Sequence, residues 1–152
     1  YARELLEKNG SSPYNPIYKH FTSLDTPEQI KDYYDFCKEL DFKYVIKSTR
    51  LCSGKGVKVS GVHFKNDLEG LMYTLELLNK KHSVLIEEKL EGDEFTLMSY
   101  SDGTYFSHMP VVTDFKQLER EDSPNTGSMG SISYSNHRAP FLTESVNLLL
   151  KI

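Results

Sequence analysis

The chain has 152 residues, 38% of them hydrophobic and 26% charged, the balance of a globular domain with a core of its own. Its net charge is −4, with acids and bases interleaved and no basic stripe, which argues against a nucleic-acid partner. No apolar run approaches the roughly 20 residues that span a bilayer, so no membrane partner is expected.

Leu5 and Leu6 predict a short helix that stops at Asn9-Gly10. Ser11-Ser12-Pro13 and Asn15-Pro16 predict a turn, and Ile17, Tyr18 and Phe21 a short strand. Thr26, Pro27 and Gln29 read as an N-cap, a first-turn proline and a capping-box partner. Ile30, Tyr33, Tyr34, Cys37 and Leu40 then recur at helical spacing and predict one buried face. Tyr44-Val45-Ile46-Lys47 reads as a strand, followed by a loop over Ser48–Gly56 and a second strand over Val57–Ser60.

Asn66 with Glu69 predicts another capping box, opening a helix whose expected face is Leu68, Leu71, Met72, Leu75 and Leu78. Val84-Leu85-Ile86-Glu87 is a third strand. Phe95–Tyr100 and Tyr105–Val112 predict a hairpin around Ser101-Asp102-Gly103. Thr113–Asn136 is polar, rich in Gly, Ser and Asn and without periodicity, so it is expected to be a long functional loop. Helices and strands alternate and then strands cluster, which gives a mixed α and β class. The chain starts and stops inside apolar-periodic segments, and the expectation is a piece of a larger protein.

Three segments carry candidate chemistry. Ser53-Gly54-Lys55-Gly56 places a lysine between glycines in a strand-to-strand loop, where successive backbone N–H groups can face an anion. It lacks the Ser or Thr and the following helix of a P-loop, and it also suits a plain hairpin turn. Lys47, eight residues earlier at the end of a strand, can grip the same polyphosphate or simply reach solvent. In Ile86-Glu87-Glu88-Lys89-Leu90-Glu91-Gly92-Asp93-Glu94, a strand end offers backbone donors and acceptors to a base, and a carboxylate can accept ribose hydroxyls. The same cluster also reads as a solvated acidic turn. Asp114-Phe115-Lys116 and Pro124-Asn125-Thr126-Gly127-Ser128-Met129-Gly130 supply an acid, a base and many N–H groups for a small polar substrate, or a plain surface loop. The five histidines and the two cysteines, Cys37 and Cys52, show no metal or redox spacing; no metal site is expected, and a reducing, cytoplasmic setting is.

In this order the segments resemble the phosphoribosylamine–glycine ligase family, ATP-grasp enzymes of purine synthesis. The family's V-I-K-A-D-G-L-A-A-G-K-G-V is similar to the run from Val45 to Val57, and its I-E-E-F-L-D-G-E-E to the run from Ile86 to Glu94. Its D-H-K-R is similar to Asp114-Phe115-Lys116-Gln117, and its P-N-T-G-G-M-G to the run from Pro124 to Gly130. The resemblance implies an α+β ATP-grasp fold, incomplete here. A lid-like subdomain over about residues 26–86 would precede the start of a larger sheet over about 87–152.

It further implies that Lys47, Ser53, Gly54, Lys55 and Gly56 hold the phosphates of ATP. Glu87, Glu88 and Leu90 would frame the adenine, and Glu94 would meet the ribose. Asp114, Lys116, Asn125, Thr126, Gly127, Met129 and Gly130 would lie on the acceptor-substrate side. The substrates implied are ATP, glycine and phosphoribosylamine, with Mg²⁺ whose ligands lie outside this chain. Phe115, Gln117, Ser128 and Thr49-Arg50 depart from the family's residues. They fit a divergent active ligase or a nucleotide-binding module that has lost catalysis; an ATP-grasp ligase with another acceptor is the nearest rival, and the Asn125–Gly130 match argues against it.

Overall fold

The structure, a computed structural model, describes residues 2–10, 15–52, 55–116, 126–134 and 139–140. Ser53, Gly54, Pro124, Asn125, Gln117, His137 and the apolar segment 146–152 lie outside the described residues. The chain divides into two compact units, Tyr1–Leu90 and Glu91–Ile152.

The first unit is a four-stranded antiparallel sheet with two helices on one face. Helix α1 spans Ala2–Lys8 and strand β1 Tyr18–Phe21. They are followed by α2 (Pro27–Glu39), β2 (Tyr44–Ser48), β3 (Val57–Val59), α3 (Asp67–Asn79) and β4 (Val84–Glu88). The strand order is β1-β4-β2-β3. Because β1 pairs with β4 from Tyr18 opposite Glu87 to Phe21 opposite Val84, the sheet begins ahead of Thr26.

Helix α2 starts as its sequence predicts. The Thr26 hydroxyl accepts from the Gln29 N–H at 3.3 Å, and the Gln29 side chain accepts from the Thr26 N–H at 3.1 Å. These bonds satisfy two of the donors that a helix start leaves open. Tyr33, Cys37 and Leu40 are buried and Ile30 and Tyr34 pack at the core's margin, as expected; Phe36 is buried beside them. Burial pushes the Cys37 thiol up to about 11, so it behaves as a small core hydrophobe rather than a reactive thiol.

Helix α3 departs from expectation twice. The Glu69 N–H donates to the Asn66 side chain at 2.9 Å, but the Glu69 carboxylate accepts from the Lys65 N–H at 2.7 Å, one residue ahead of the cap. The buried residues are Gly70, Leu71, Tyr73, Thr74 and Leu77, while Leu68 and Met72 are exposed. The reason is close approach at Gly70. A Cβ there would lie 2.7 Å from the Tyr44 hydroxyl, 3.1 Å from Phe64 and 3.2 Å from the Tyr33 hydroxyl. The helix therefore turns its smallest residue toward the sheet, and Leu68 and Met72 rotate outward.

Among the described residues, the second unit contains two antiparallel strand pairs. Strands β5 (Ser99–Ser101) and β6 (Phe106–His108) pair around a turn in which Asp102 accepts from the N–H groups of Thr104 and Tyr105, both at 2.8 Å. These two bonds hold the exposed Asp102 carboxyl below its usual range. The segment expected to be an aperiodic loop instead contains β7 (Val112–Phe115) and β8 (Gly130–Ser133), paired antiparallel. Every residue of β8 is exposed, so no inward–outward alternation marks it in the sequence.

Candidate functional site

Alternation along the strands of the first unit sorts its side chains into two sets. Tyr44, Ile46, Val84 and Ile86 are fully buried against α2 and α3. The other face carries Val45 and Lys47 of β2, Val57 and Val59 of β3, and Leu85 and Glu87 of β4. All of these are half-buried except Glu87, which is 4% exposed. Register puts Lys47 between Val57 and Leu85, and Val45 between Val59 and Glu87. This face presents an apolar strip, Val45, Val57, Val59 and Leu85, with Lys47 between Val57 and Leu85 and with Glu87, Tyr18 and His20 toward β1.

Glu87 is the buried charge of that face. One oxygen, Oε2, accepts from Arg3 Nε at 3.1 Å and Arg3 Nη2 at 2.9 Å. The other, Oε1, accepts from Lys47 Nζ. Burying a carboxylate is costly without partners, and here both oxygens are matched by cations. Glu88 is spent differently: its carboxylate accepts from the Ile17 N–H at 3.1 Å and its own N–H donates to the Ile17 carbonyl at 2.8 Å. Leu90 is exposed beyond the strand end.

The glycine loop sits at the Lys47 end of the β2–β3 hairpin. The Ser48 N–H donates to the Gly56 carbonyl at 2.8 Å and the Lys55 N–H to the Cys52 carbonyl at 2.9 Å. A Cβ at Gly56 would meet Cys52 Cβ at 2.8 Å and Sγ at 2.9 Å, so close packing requires glycine there. Thr49 anchors the loop's base, its hydroxyl meeting the Ser83 carbonyl at 3.0 Å and the Ser83 hydroxyl at 2.7 Å. Lys55 itself is exposed.

In the second unit Lys116 pairs with Glu94, both at the surface. Asp114 accepts from the Ser128 hydroxyl at 2.5 Å, and that hydroxyl accepts from the Gly130 N–H at 3.2 Å. Thr126 caps the Lys116 carbonyl with its N–H at 2.7 Å and its hydroxyl at 2.9 Å. The Met129 N–H donates to the Phe115 carbonyl at 2.7 Å, and Gly127 is exposed. Asp114, Lys116, Thr126, Met129 and Gly130 thus belong to one hairpin, joined by Ser128, which fills an expected glycine position with a side chain that bonds twice.

Sequence reasoning missed Arg3. It lies 84 residues from Glu87, and nothing in the local pattern of a short helix links it to a distant strand. Among the described residues no group of three or more His, Cys, Asp or Glu side chains is placed to hold a metal ion. The described residues therefore offer no such ligand set for Mg²⁺. Among the same residues no helix is long and apolar enough to cross a membrane.

The model of the phosphoribosylglycinamide synthetase ATP-grasp (A) domain family matches residues 1–151. The chain belongs to this family. A phosphoribosylamine–glycine ligase from Pyrococcus furiosus is 40% identical over 146 residues, covering 95% of this chain and 32% of that protein. One from Methanothermobacter thermautotrophicus is 39% identical over 149 residues, covering 95% and 33%. The crystal structure of phosphoribosylamine–glycine ligase from Thermotoga maritima matches with a TM-score of 0.66 at 31% identity, over 86% of this chain and 32% of that one. The fold is therefore an α+β portion of ATP-grasp, and the chain spans about a third of the length of the curated relatives it matches.

Proposed function

We propose that this ATP-grasp segment is the nucleotide-holding part of a cytoplasmic ligase that joins glycine to phosphoribosylamine in purine synthesis. The observation that carries the reading is the half-buried sheet face. Val45, Val57 and Leu85 offer apolar surface around Lys47, beside the glycine loop that carries Lys55. Such a face suits a flat base with a polyphosphate trailing toward two lysines.

In the proposed reaction the terminal phosphoryl group of ATP passes to the carboxylate of glycine, giving an acyl phosphate and ADP. The amine of phosphoribosylamine then attacks the acyl carbon, and phosphate leaves as the amide forms. Lys47 and Lys55 neutralise charge on the phosphoryl oxygens during transfer, the term that dominates such reactions. Glu87, Glu88 and Leu90 border the base, and Glu94 serves the ribose. Ser53 and Gly54 complete the phosphate loop. Asp114, Lys116, Asn125, Thr126, Gly127, Met129 and Gly130 serve the acceptor side, and Mg²⁺ is held by residues outside this chain.

The test is ADP formation by the full-length protein. It is expected to require both glycine and phosphoribosylamine, and to fall about 10²-fold in Lys47→Ala, the usual cost of losing one electrostatic stabiliser. ADP formation indifferent to either acceptor would overturn the assignment. One observation favours a second reading. Phe115 stands exposed where the resembled motif has histidine, which suits a protein that binds nucleotide without turnover. Saturable nucleotide binding with no ADP formation would select that reading.

A further inference from the structure

We infer that Arg3 is a positioning residue for the nucleotide site, acting through Glu87 to release Lys47 for phosphate. The inference rests on the nucleotide reading above and adds a residue to it. Its basis is how the buried carboxylate divides its two oxygens. Arg3 holds Oε2 with both Nε and Nη2, at 3.1 and 2.9 Å, and leaves Oε1 to Lys47. The Lys47 ammonium can therefore leave Glu87 without disturbing the Arg3 fork.

That division matters because Glu87 is 4% exposed. A buried carboxylate stripped of its only cation is strongly destabilising, whereas one still gripped by a guanidinium is not. With Arg3 present, Lys47 can turn from Glu87 to an incoming phosphate and the carboxylate stays compensated. Without Arg3, Lys47 becomes the sole partner of a buried charge and is held away from the phosphate. Lys47 is 35% exposed along its side chain, which leaves it room to move. Arg3 is itself fixed: its Nη1 donates to Asn15 Oδ1 at 3.2 Å, and Asn15 Nδ2 donates back to the Arg3 carbonyl at 3.1 Å. Helix α1 is thereby strapped to the chain entering β1, with its guanidinium aimed at β4.

The experiment measures ADP affinity of the full-length protein at one fixed ionic strength. Arg3→Met is expected to weaken ADP binding about ten-fold, and Arg3→Lys to restore most of it, because a cation beside Oε2 is what the account requires. In a Glu87→Gln background, where no buried charge remains to compensate, Arg3→Met is expected to change affinity less than two-fold. Asn15→Ala loosens the strap but keeps the guanidinium, and is also expected to cost less than two-fold. Equal losses for Arg3→Met in both backgrounds, or an Asn15→Ala loss matching that of Arg3→Met, would overturn the inference by making Arg3 a mere anchor of α1. No ADP binding by the unaltered protein overturns the nucleotide reading itself, and is told apart because every variant is then compared with a silent parent.

Discussion

Gly70→Ala is expected to destabilise the protein by a net of about 1–3 kcal/mol, although alanine is the better helix former by about 1 kcal/mol. The added methyl would sit 2.7 Å from the Tyr44 hydroxyl and 3.1 Å from a Phe64 ring carbon. Neither neighbour can yield freely. Tyr44 is fully buried, its hydroxyl donates to Asp67 at 2.9 Å, and its ring packs against Phe42 and Phe64 with centroids 5.8 and 5.4 Å away. Either α3 lifts from the sheet or the aromatic cluster leaves its preferred geometry, and both lose packing. Urea unfolding gives the answer as a lower midpoint at unchanged slope. A midpoint equal to or above that of the parent would mean that α3 does not approach the sheet as closely as described.

Glu87→Lys is expected to cost about 3–5 kcal/mol, the range for breaking a buried ion pair at one partner. It would place a third cation between Arg3 and Lys47 on a sheet face where the native side chain is 4% exposed. Glu87→Leu should cost clearly less. It leaves two cations without a partner, but Arg3 and Lys47 are 28% and 35% exposed and can reach water along their stems. Thermal unfolding of the two variants side by side separates charge from shape. Equal melting temperatures would contradict the described pairing, because then the carboxylate would not be the group that holds both cations.

Much of the first unit is written locally. Thr26, Pro27 and Gln29 specify the start of α2 by hydrogen bonds within four residues, and Tyr33, Cys37 and Leu40 mark its face by spacing alone. What local pattern could not reach was set by tertiary approach. Leu68 and Met72 are as apolar as Leu71 and Leu75, so the apolar pattern alone does not mark the buried side of α3, where Gly70 approaches Tyr44, Phe64 and Tyr33. Both helices end without a glycine, through positive φ at Asp41 and Phe42 after α2 and at Lys81 after α3. Such stops carry no residue signature. Phe42 takes that conformation with its ring packed edge-on to Tyr44 and Phe64.

The candidate site divides in the same way. Lys47 and Gly56 were legible because strand, loop and strand follow one another in sequence, and the structure keeps them together. The pairing of Glu87 with Lys47 and Arg3 was not, since it needs β4 laid beside β2 and α1 laid beside β4. Strands β7 and β8 were hidden because a hairpin with little to bury has no hydrophobic period, although Ser128 and Thr126 hold it with specific bonds.

The proposed nucleotide site, on the half-buried sheet face with the phosphates at Lys47 and Lys55, is tested most directly by calorimetric titration of the full-length protein with Mg-ADP, beside Lys47→Ala and Lys55→Ala. A hydrogen bond to a charged group is worth about 1.5–3 kcal/mol, so each variant should bind roughly ten-fold or more weakly than the saturable parent. Affinity unchanged in both variants would place the nucleotide elsewhere and contradict the account.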